Sequence, residues 1–504
     1  MVLFPQNVLR CRINTMNTKK YTIPPEVSHV TETLLANGFE AYLVGGCVRD
    51  LVLNKKPKDW DVTTNAIPEQ IINLFPKTFY ENTYGTVGVV NEEATDNTLK
   101  IVEVTPYRTE SEYSDKRRPD SVSFSKKIED DLKRRDFTIN ALALSKDGSI
   151  IDLFNGQDDL EKGIIRTVGE AHARFSEDAL RILRAVRIAT ELGFHVEPDT
   201  EKALETHSPL LKHIALERVR DEFTRIIMSD NPIAGIERCH QLGILRYIIP
   251  ELEQGIGVEQ NQAHSFDVWT HLLKTLQHAA FKKWSLEIRL SALLHDIGKP
   301  ATRRFSRETN QYTFYGHEVV GAKMTKKILE RLKFSRETVE NVTKFVRWHM
   351  FFSDTEEITL SAVRRMINNV GKERIWDLMD LRACDRIGTG RPKENPYRLR
   401  KYKAMVEEAL RDPISVGLLK VDGKDIMEIT QSAPGPKIGL ILNALLEEAL
   451  EDPRVNTKEF LTKRVLELYA MDEKELKKHA VIGKDKKEKA EETELKKIRS
   501  KHNI

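Results

Sequence analysis

The chain has 504 residues, a hydrophobic content of 40%, a charged content of 31% and a net charge of only +3. That length exceeds one ordinary core, so roughly two to four domains are expected, and the composition excludes a disordered or membrane-embedded chain. No apolar run reaches the roughly 18 residues of a spanning helix, and the near-neutral balance leaves nucleic-acid binding to a local basic face.

In chain order, residues 1–23 read as an irregular leader with no secretion signal, and Met16 is an alternative start. A helix fits Pro25 to Asn37. "GFEAYLVGGCVRDLVL" follows as strand, Gly-Gly turn and helix, and "KDWDVTTNA" as a short strand entering a turn. "TVGVV" and "KIVEVTPY" are β-rich. The polar stretch from Arg108 to Pro119 reads as a loop. "RRDFTINALALS" and "GSIIDLFN" complete an α/β domain spanning 24–169.

Beyond it the periodicity turns helical, giving an all-α neck and body over 170–255. A histidine-rich block covers 256–392, a further helical region 393–471, and a Lys/Glu-rich tail 472–504. The tail reads as a solvated charge run. Cys11, Cys47, Cys239 and Cys384 are scattered without a CxxC pair, which predicts reduced thiols and a cytoplasmic location.

Asp59 and Asp61 stand at i and i+2 in a strand-like segment and so project to one face. Two adjacent carboxylates repel unless a cation lies between them, and Mg²⁺ prefers carboxylate and phosphate oxygens. On spacing alone, a pair of acidic residues in a surface turn is the commoner reading. Gly45, Gly46, Arg49 and Asp50 shift the balance. Glycines at a strand-to-helix junction let the backbone approach a triphosphate, helix N–H groups can meet it, and Arg49 adds a cation. Glu103, between Val102 and Val104, is either a third carboxylate or a solvated strand glutamate. The sequence does not choose.

A second constellation lies in "FSEDALRILRAVR", read as one helix with Asp178 and Arg181 at i and i+3. A carboxylate accepting from an exocyclic amino group, beside a guanidinium donating to a ring nitrogen, would select cytosine and adenine together and mismatch guanine and uracil. On spacing alone an ordinary intrahelical ion pair is favoured.

Four ordered motifs, "LVGGCVRD", "DWDVTT", "RRDFTINA" and "EDALRILRAVR", resemble the class II tRNA nucleotidyltransferase and bacterial poly(A) polymerase family over roughly Val30 to Pro250. The resemblance implies a five-stranded mixed-sheet head and Mg²⁺ on Asp59 and Asp61. It implies a nucleotide and ribose pocket from Arg135, Asp136 and Asn140, and selection of CTP and ATP by Asp178 and Arg181. Phosphate contacts from Arg184 and Arg187 follow in the same way. The loop from Arg108 matches the family's flexible loop. The implied activity is addition or repair of the CCA end of tRNA. The rivals are poly(A) polymerase, addition of only A or only CC, or a phosphohydrolase with a non-catalytic RNA-binding head.

The series His271, His295–Asp296, His317, His349 and Asp385 resembles the HD phosphohydrolase superfamily. It implies two divalent metals, transition ions or Mg²⁺, with Lys299 near a substrate phosphate and His264 a weaker candidate. A degenerate, purely structural domain is the rival. The segment around Gly435–Pro436 resembles the C-terminal helical region of HD-bearing tRNA nucleotidyltransferases, which implies a tRNA-binding region; at the turn itself, contact of the helix N-terminus with a phosphate and packing between helices stand as equal readings.

Overall fold

The computed structural model describes residues 21–80, 85–110, 122–260, 265–308, 310–351, 358–410, 419–472 and 475–476. Most of the leader, residues 111–119 of the expected loop, His264 and nearly all of the charged tail fall outside these residues. The chain forms two compact units, residues 1–253 with 331–334, and residues 254–330 with 335–504.

The first unit is built on a seven-stranded sheet. Its strands are β1 (Ala41–Val44), β2 (Asp61–Thr64), β3 (Thr78–Tyr80), β4 (Val87–Val90), β5 (Ile101–Pro106), β8 (Leu142–Leu144) and β9 (Ile150–Asp152). A separate two-stranded ribbon pairs β6 (Arg108–Glu110) with β7 (Val122–Phe124), so the first residues of the expected loop are strand. The sheet order is β3-β4-β5-β2-β1-β8-β9, with β2 and β5 parallel and the other pairs antiparallel.

The head is therefore a mixed sheet of seven strands rather than five. Both edge strands, β3 and β9, span three residues and none of those residues is fully buried. A strand as short and exposed as β3 carries almost no alternating apolar pattern, so it leaves little trace in a sequence.

The central strands do show the alternation. In β5, Val102 and Val104 are fully buried while Glu103 between them is half-buried. In β2 and the residue before it, Trp60 and Val62 are buried and Asp61 is half-buried. The helix Pro25–Ala36 opens with proline at its first turn and buries Val27, Val30 and Leu34, a three-and-four spacing that places one apolar stripe inward. Burial of each such side chain is worth about 1.5–3 kcal/mol.

Helices follow the sheet. Ala171–Glu177 and Leu180–Leu192 lie in sequence, and Leu216–Met228 packs on the latter. Among the described residues the second unit is helical apart from one hairpin, Arg304–Ser306 with Gln311–Thr313. Its centre is the helix Val268–Phe281, packed on Leu286–Leu294 and Ile375–Gly388. Leu461, Val465 and Ile441 belong to a further buried cluster built from the helices Pro436–Glu451 and Lys458–Ala470. Among the described residues no helix is long and apolar enough to cross a membrane. Cys47, Cys239 and Cys384 are free and buried, as the spacing predicted.

Candidate active sites

In the head, β2 and β5 run parallel with Asp61 directly opposite Glu103. Opposed residues of paired strands project to the same face. Glu103 therefore shares a face with Asp61. Asp59 lies in a bend just before β2 and is exposed, on the far side of buried Trp60.

Gly45 closes this face from the next strand, with φ at +78°. A Cβ at Gly45 would sit 3.3 Å from Asp61 Oδ2 and 3.0 Å from Arg135 Nη1. Glycine is needed twice over, for its backbone angle and for the approach of these two side chains. The helix Gly46–Val52 starts immediately after it.

A chain of polar contacts joins five of the residues singled out by sequence. Arg49 donates to Asn140 Oδ1 at 2.9 Å, and Asn140 Nδ2 donates to Asp136 Oδ1 at 3.2 Å. Arg184 Nε donates to Asp136 Oδ2 at 2.8 Å, and Arg135 Nη1 reaches Asn140 O at 3.5 Å. Arg49 also pairs with Asp50 at 2.7 Å. Burial pushes the Asp136 carboxyl up, but the Arg184 guanidinium more than reverses this and holds it below the usual carboxylate range. Asp136 is thus an anion that fixes Arg184.

One residue of this network was missed by sequence reading. Asp131 is fully buried and binds Arg134 at 2.6 Å and Arg135 at 3.1 Å. Its signal was available, since Asp131 precedes two arginines by three and four residues on a helical stretch.

The single helix expected across Asp178 is broken there. Ala171–Glu177 ends at Asp178, which adopts φ −131° and ψ 104°, and a new helix starts at Leu180. The Asp178 carboxylate accepts the Leu180 N–H at 2.9 Å, so the residue lies just outside the second helix, whose N-cap is Ala179. Arg181 is not paired with it. Arg181 Nη1 binds Glu177 Oε2 at 2.6 Å, and its guanidinium donates to the carbonyls of Arg174 and Arg134. Asp178 instead lies 3.5 Å from Arg218. Each side chain is held by its own partners, and neither neutralises the other.

Arg187 departs from its expected phosphate role. It is buried, with Glu222 at 2.5 Å and Glu191 at 3.0 Å. Arg187→Ala would strand the buried Glu222 carboxylate, so it is expected to cost about 3 kcal/mol of stability. Chemical denaturation measures this. A loss of activity with undiminished stability would contradict the structural role.

In the second unit the histidine series converges. His271 Nε2 lies 3.2 Å from Asp296 Oδ2 and 3.3 Å from Asp385 Oδ1. His295 Nε2 lies 3.3 Å from Asp296 Oδ2 and 2.9 Å from His271 Nε2. His317 and His349 meet the other oxygen, Asp296 Oδ1, at 3.2 and 3.5 Å. Two ligand groups result, His271–His295–Asp296 and Asp296–His317–His349, each with its donor atoms within 4.8 Å of one another.

The imidazoles are oriented for metals. Nδ1 of His295, His317 and His349 contacts the carbonyl of Ala292, Phe314 and Val346 at 3.0, 2.8 and 2.7 Å. A carbonyl only accepts, so each ring carries a proton on Nδ1 and turns Nε2 inward. All six side chains are buried, and one carboxylate is shared by both groups. This donor set would suit divalent cations, with Asp296 common to both ligand groups.

Lys299, expected near a substrate phosphate, binds Asp296 Oδ2 at 2.6 Å and Gln260 Oε1 at 2.6 Å. Gln260 carried no motif, and only the fold brings it there.

Burial pulls the His295 imidazole down, yet the Asp296 and Asp385 carboxylates override it and raise it to about 9. A cation entering here competes with that proton. Metal affinity is therefore expected to rise with pH until about 9. Calorimetry at pH 7.5 in two buffers of different ionisation enthalpy should show proton release, and equal heats would contradict the assignment.

The comparisons agree with this layout. Residues 41–166 match "Poly A polymerase head domain", residues 193–256 match "Probable RNA and SrmB- binding site of polymerase A", and residues 268–387 match "HD domain". The chain is 32% identical over 448 residues to the CCA-adding enzyme of Geobacillus thermodenitrificans, covering 88% of this chain and 97% of that one. It is 33% identical over 446 residues to the counterpart of Geobacillus stearothermophilus, covering 86% and 95%. The crystal structure of the Bacillus stearothermophilus CCA-adding enzyme in complex with CTP superposes with a TM-score of 0.65 at 29% identity, over 88% of this chain and 98% of that one. With the shared head, the ordered motifs and this coverage, the chain belongs to the CCA-adding enzyme family.

Proposed function

We propose that this chain adds or repairs the 3′-terminal CCA of tRNA from CTP and ATP, releasing pyrophosphate. The observation that carries the reading is the Asp61–Glu103 pair on one sheet face, closed by Gly45 and Arg135. Asp59, Asp61 and Glu103 form the carboxylate set for Mg²⁺. When bound there, Mg²⁺ neutralises the triphosphate and lowers the pKa of the attacking hydroxyl. The tRNA 3′-oxygen forms a bond to the α-phosphorus, the bond to the pyrophosphate oxygen breaks, and the hydroxyl proton goes to solvent. Arg49, Arg135 and Arg184 are held by Asn140, Asp131 and Asp136, so their charge is fixed in place before substrate arrives. Asp178 and Arg181, partnered separately, select the amino-bearing bases.

A second reading concerns the HD cluster, whose six ligands support hydrolysis of a phosphoester by a divalent metal pair. Both activities fit a cytoplasmic protein with reduced thiols.

Transcripts lacking CCA, ending in CC, or complete are incubated with CTP and ATP, separately and together. The expected result is ordered addition that stops at CCA. Long A-tails would assign a poly(A) polymerase, and arrest after CC an enzyme of partial addition. No incorporation would sink the transferase reading.

A further inference from the structure

The HD cluster opens into a cleft of about 1230 Å³ within the second unit. Pockets for ordinary small ligands span about 300–1,000 Å³, so this one has room for more than a single phosphorylated nucleoside. The wall beside Asp385 is basic. Arg382 and Arg386 stand four residues apart on the helix Ile375–Gly388, on one face and about 6 Å apart along its axis. Arg391 follows shortly after the helix ends, and all three line the cleft.

The metal centre and this wall are joined through one carboxylate. Asp385 Oδ1 faces His271 at 3.3 Å, while Oδ2 binds Arg382 at 2.5 Å. Arg386 donates to the Lys393 carbonyl at 2.6 Å, which fixes its guanidinium on the wall. Among the described residues, neither Arg386 nor Arg391 forms an ion pair with a carboxylate. Guanidiniums crowded in this way are relieved by an anion shared between them. Aromatic faces stand nearby on the same cleft: Tyr315 is 87% exposed and Tyr397 is 54% exposed. Exposed aromatic rings in a basic groove are stacking platforms for successive bases.

We propose that Arg382, Arg386 and Arg391 form a second phosphate subsite beside the metal cluster, so that the HD substrate is a nucleotide chain end with a phosphodiester besides its terminal phosphate. The inference rests on the phosphohydrolase reading of that cluster. In the reaction, a water oxygen bonds to the terminal phosphorus and the bond to the sugar oxygen breaks. The sugar leaves as an alcohol carrying a proton from that water, and inorganic phosphate is released. The arginines bind the neighbouring phosphodiester and take no part in the bond changes.

The test uses the full chain loaded with Mn²⁺. Release of phosphate is compared for a dinucleotide 3′-phosphate, in ribo and deoxyribo forms, and for the mononucleoside 3′-phosphate with the same terminal base. A nucleoside 5′-diphosphate is the third arm. The dinucleotides are expected to exceed the mononucleotide in kcat/KM by about tenfold or more, chiefly through KM. The double variant Arg386→Met/Arg391→Met is expected to bring that ratio close to one. Arg391→Gln, at an exposed position, gives a partial fall and decides the matter if the double variant does not fold. Equal kcat/KM for mono- and dinucleotide, or a variant that keeps the ratio, overturns the subsite. Preference for the diphosphate overturns the nucleotide-chain assignment.

If no substrate is turned over, the phosphohydrolase reading fails separately. The subsite is then judged by binding of a fluorescein-labelled dinucleotide 3′-phosphate. A fivefold or greater weakening in the double variant supports it, and unchanged affinity overturns it.

Discussion

Asp61→Ala is expected to lower nucleotide addition by at least about 100-fold, the scale seen when one preorganised electrostatic contact to a transition state is removed. The reason lies in the sheet. Asp61 is half-buried at the start of β2, opposite Glu103 and against Gly45, with no second carboxylate able to move into its place without breaking strand register. The loss should appear in kcat with both CTP and ATP, because the metal set precedes any choice of base. The fold should survive, since the change only shortens a half-buried side chain at the start of β2. The measurement is single-turnover extension of a tRNA transcript ending in CC, beside a thermal melt. Retention of more than about a tenth of the activity would remove Asp61 from the metal set.

Asp296→Ala is the second large effect, and it falls on the other unit. Both oxygens of this carboxylate are used, Oδ2 facing His271, His295 and Lys299, and Oδ1 facing His317 and His349. Removing it takes a ligand from both metal groups at once. Stoichiometric binding of Mn²⁺ at this cluster should disappear, and phosphoester hydrolysis should fall at least about 100-fold. His317→Ala, by contrast, touches one group and should leave the other able to bind. Metal analysis of the dialysed proteins distinguishes the two outcomes. CCA addition by Asp296→Ala should stay within about twofold of the parent. If addition also collapsed in a folded protein, the two centres would not be independent.

Much of this was legible in the chain itself. The i, i+2 spacing of Asp59 and Asp61 marked them as a candidate carboxylate pair, although only Asp61 lies within the strand and Asp59 sits in the bend before it. The series from His271 to Asp385 was legible because its histidines and carboxylates follow one another in an ordered set through one helical block, and the resemblance named the chemistry. The glycine at 45 announced a close approach because no other residue tolerates its φ of +78°.

Other features needed the fold. Helical periodicity ran unbroken through Asp178, yet the chain turns there, because a local hydrogen bond from Leu180 N–H to its carboxylate competes with the helix. Arg187 and Arg184 look alike on one helix, three residues apart. Only packing against Leu216–Met228, which brings Glu222 beside Arg187, makes one structural and leaves the other on Asp136. Edge strand β3 escaped notice because two of its three residues are exposed and carry no period, whereas β9 lies within the stretch "GSIIDLFN".

The sequence by itself determined which residues could do chemistry: two carboxylates beside a Gly-Gly turn, and an ordered set of imidazoles and carboxylates. Tertiary structure alone decided their partners. The opposition of Asp61 to Glu103 is a matter of strand register, and the sharing of Asp296 between two histidine pairs is a matter of helix packing. Both join residues far apart in the chain, and no local propensity encodes such a distance.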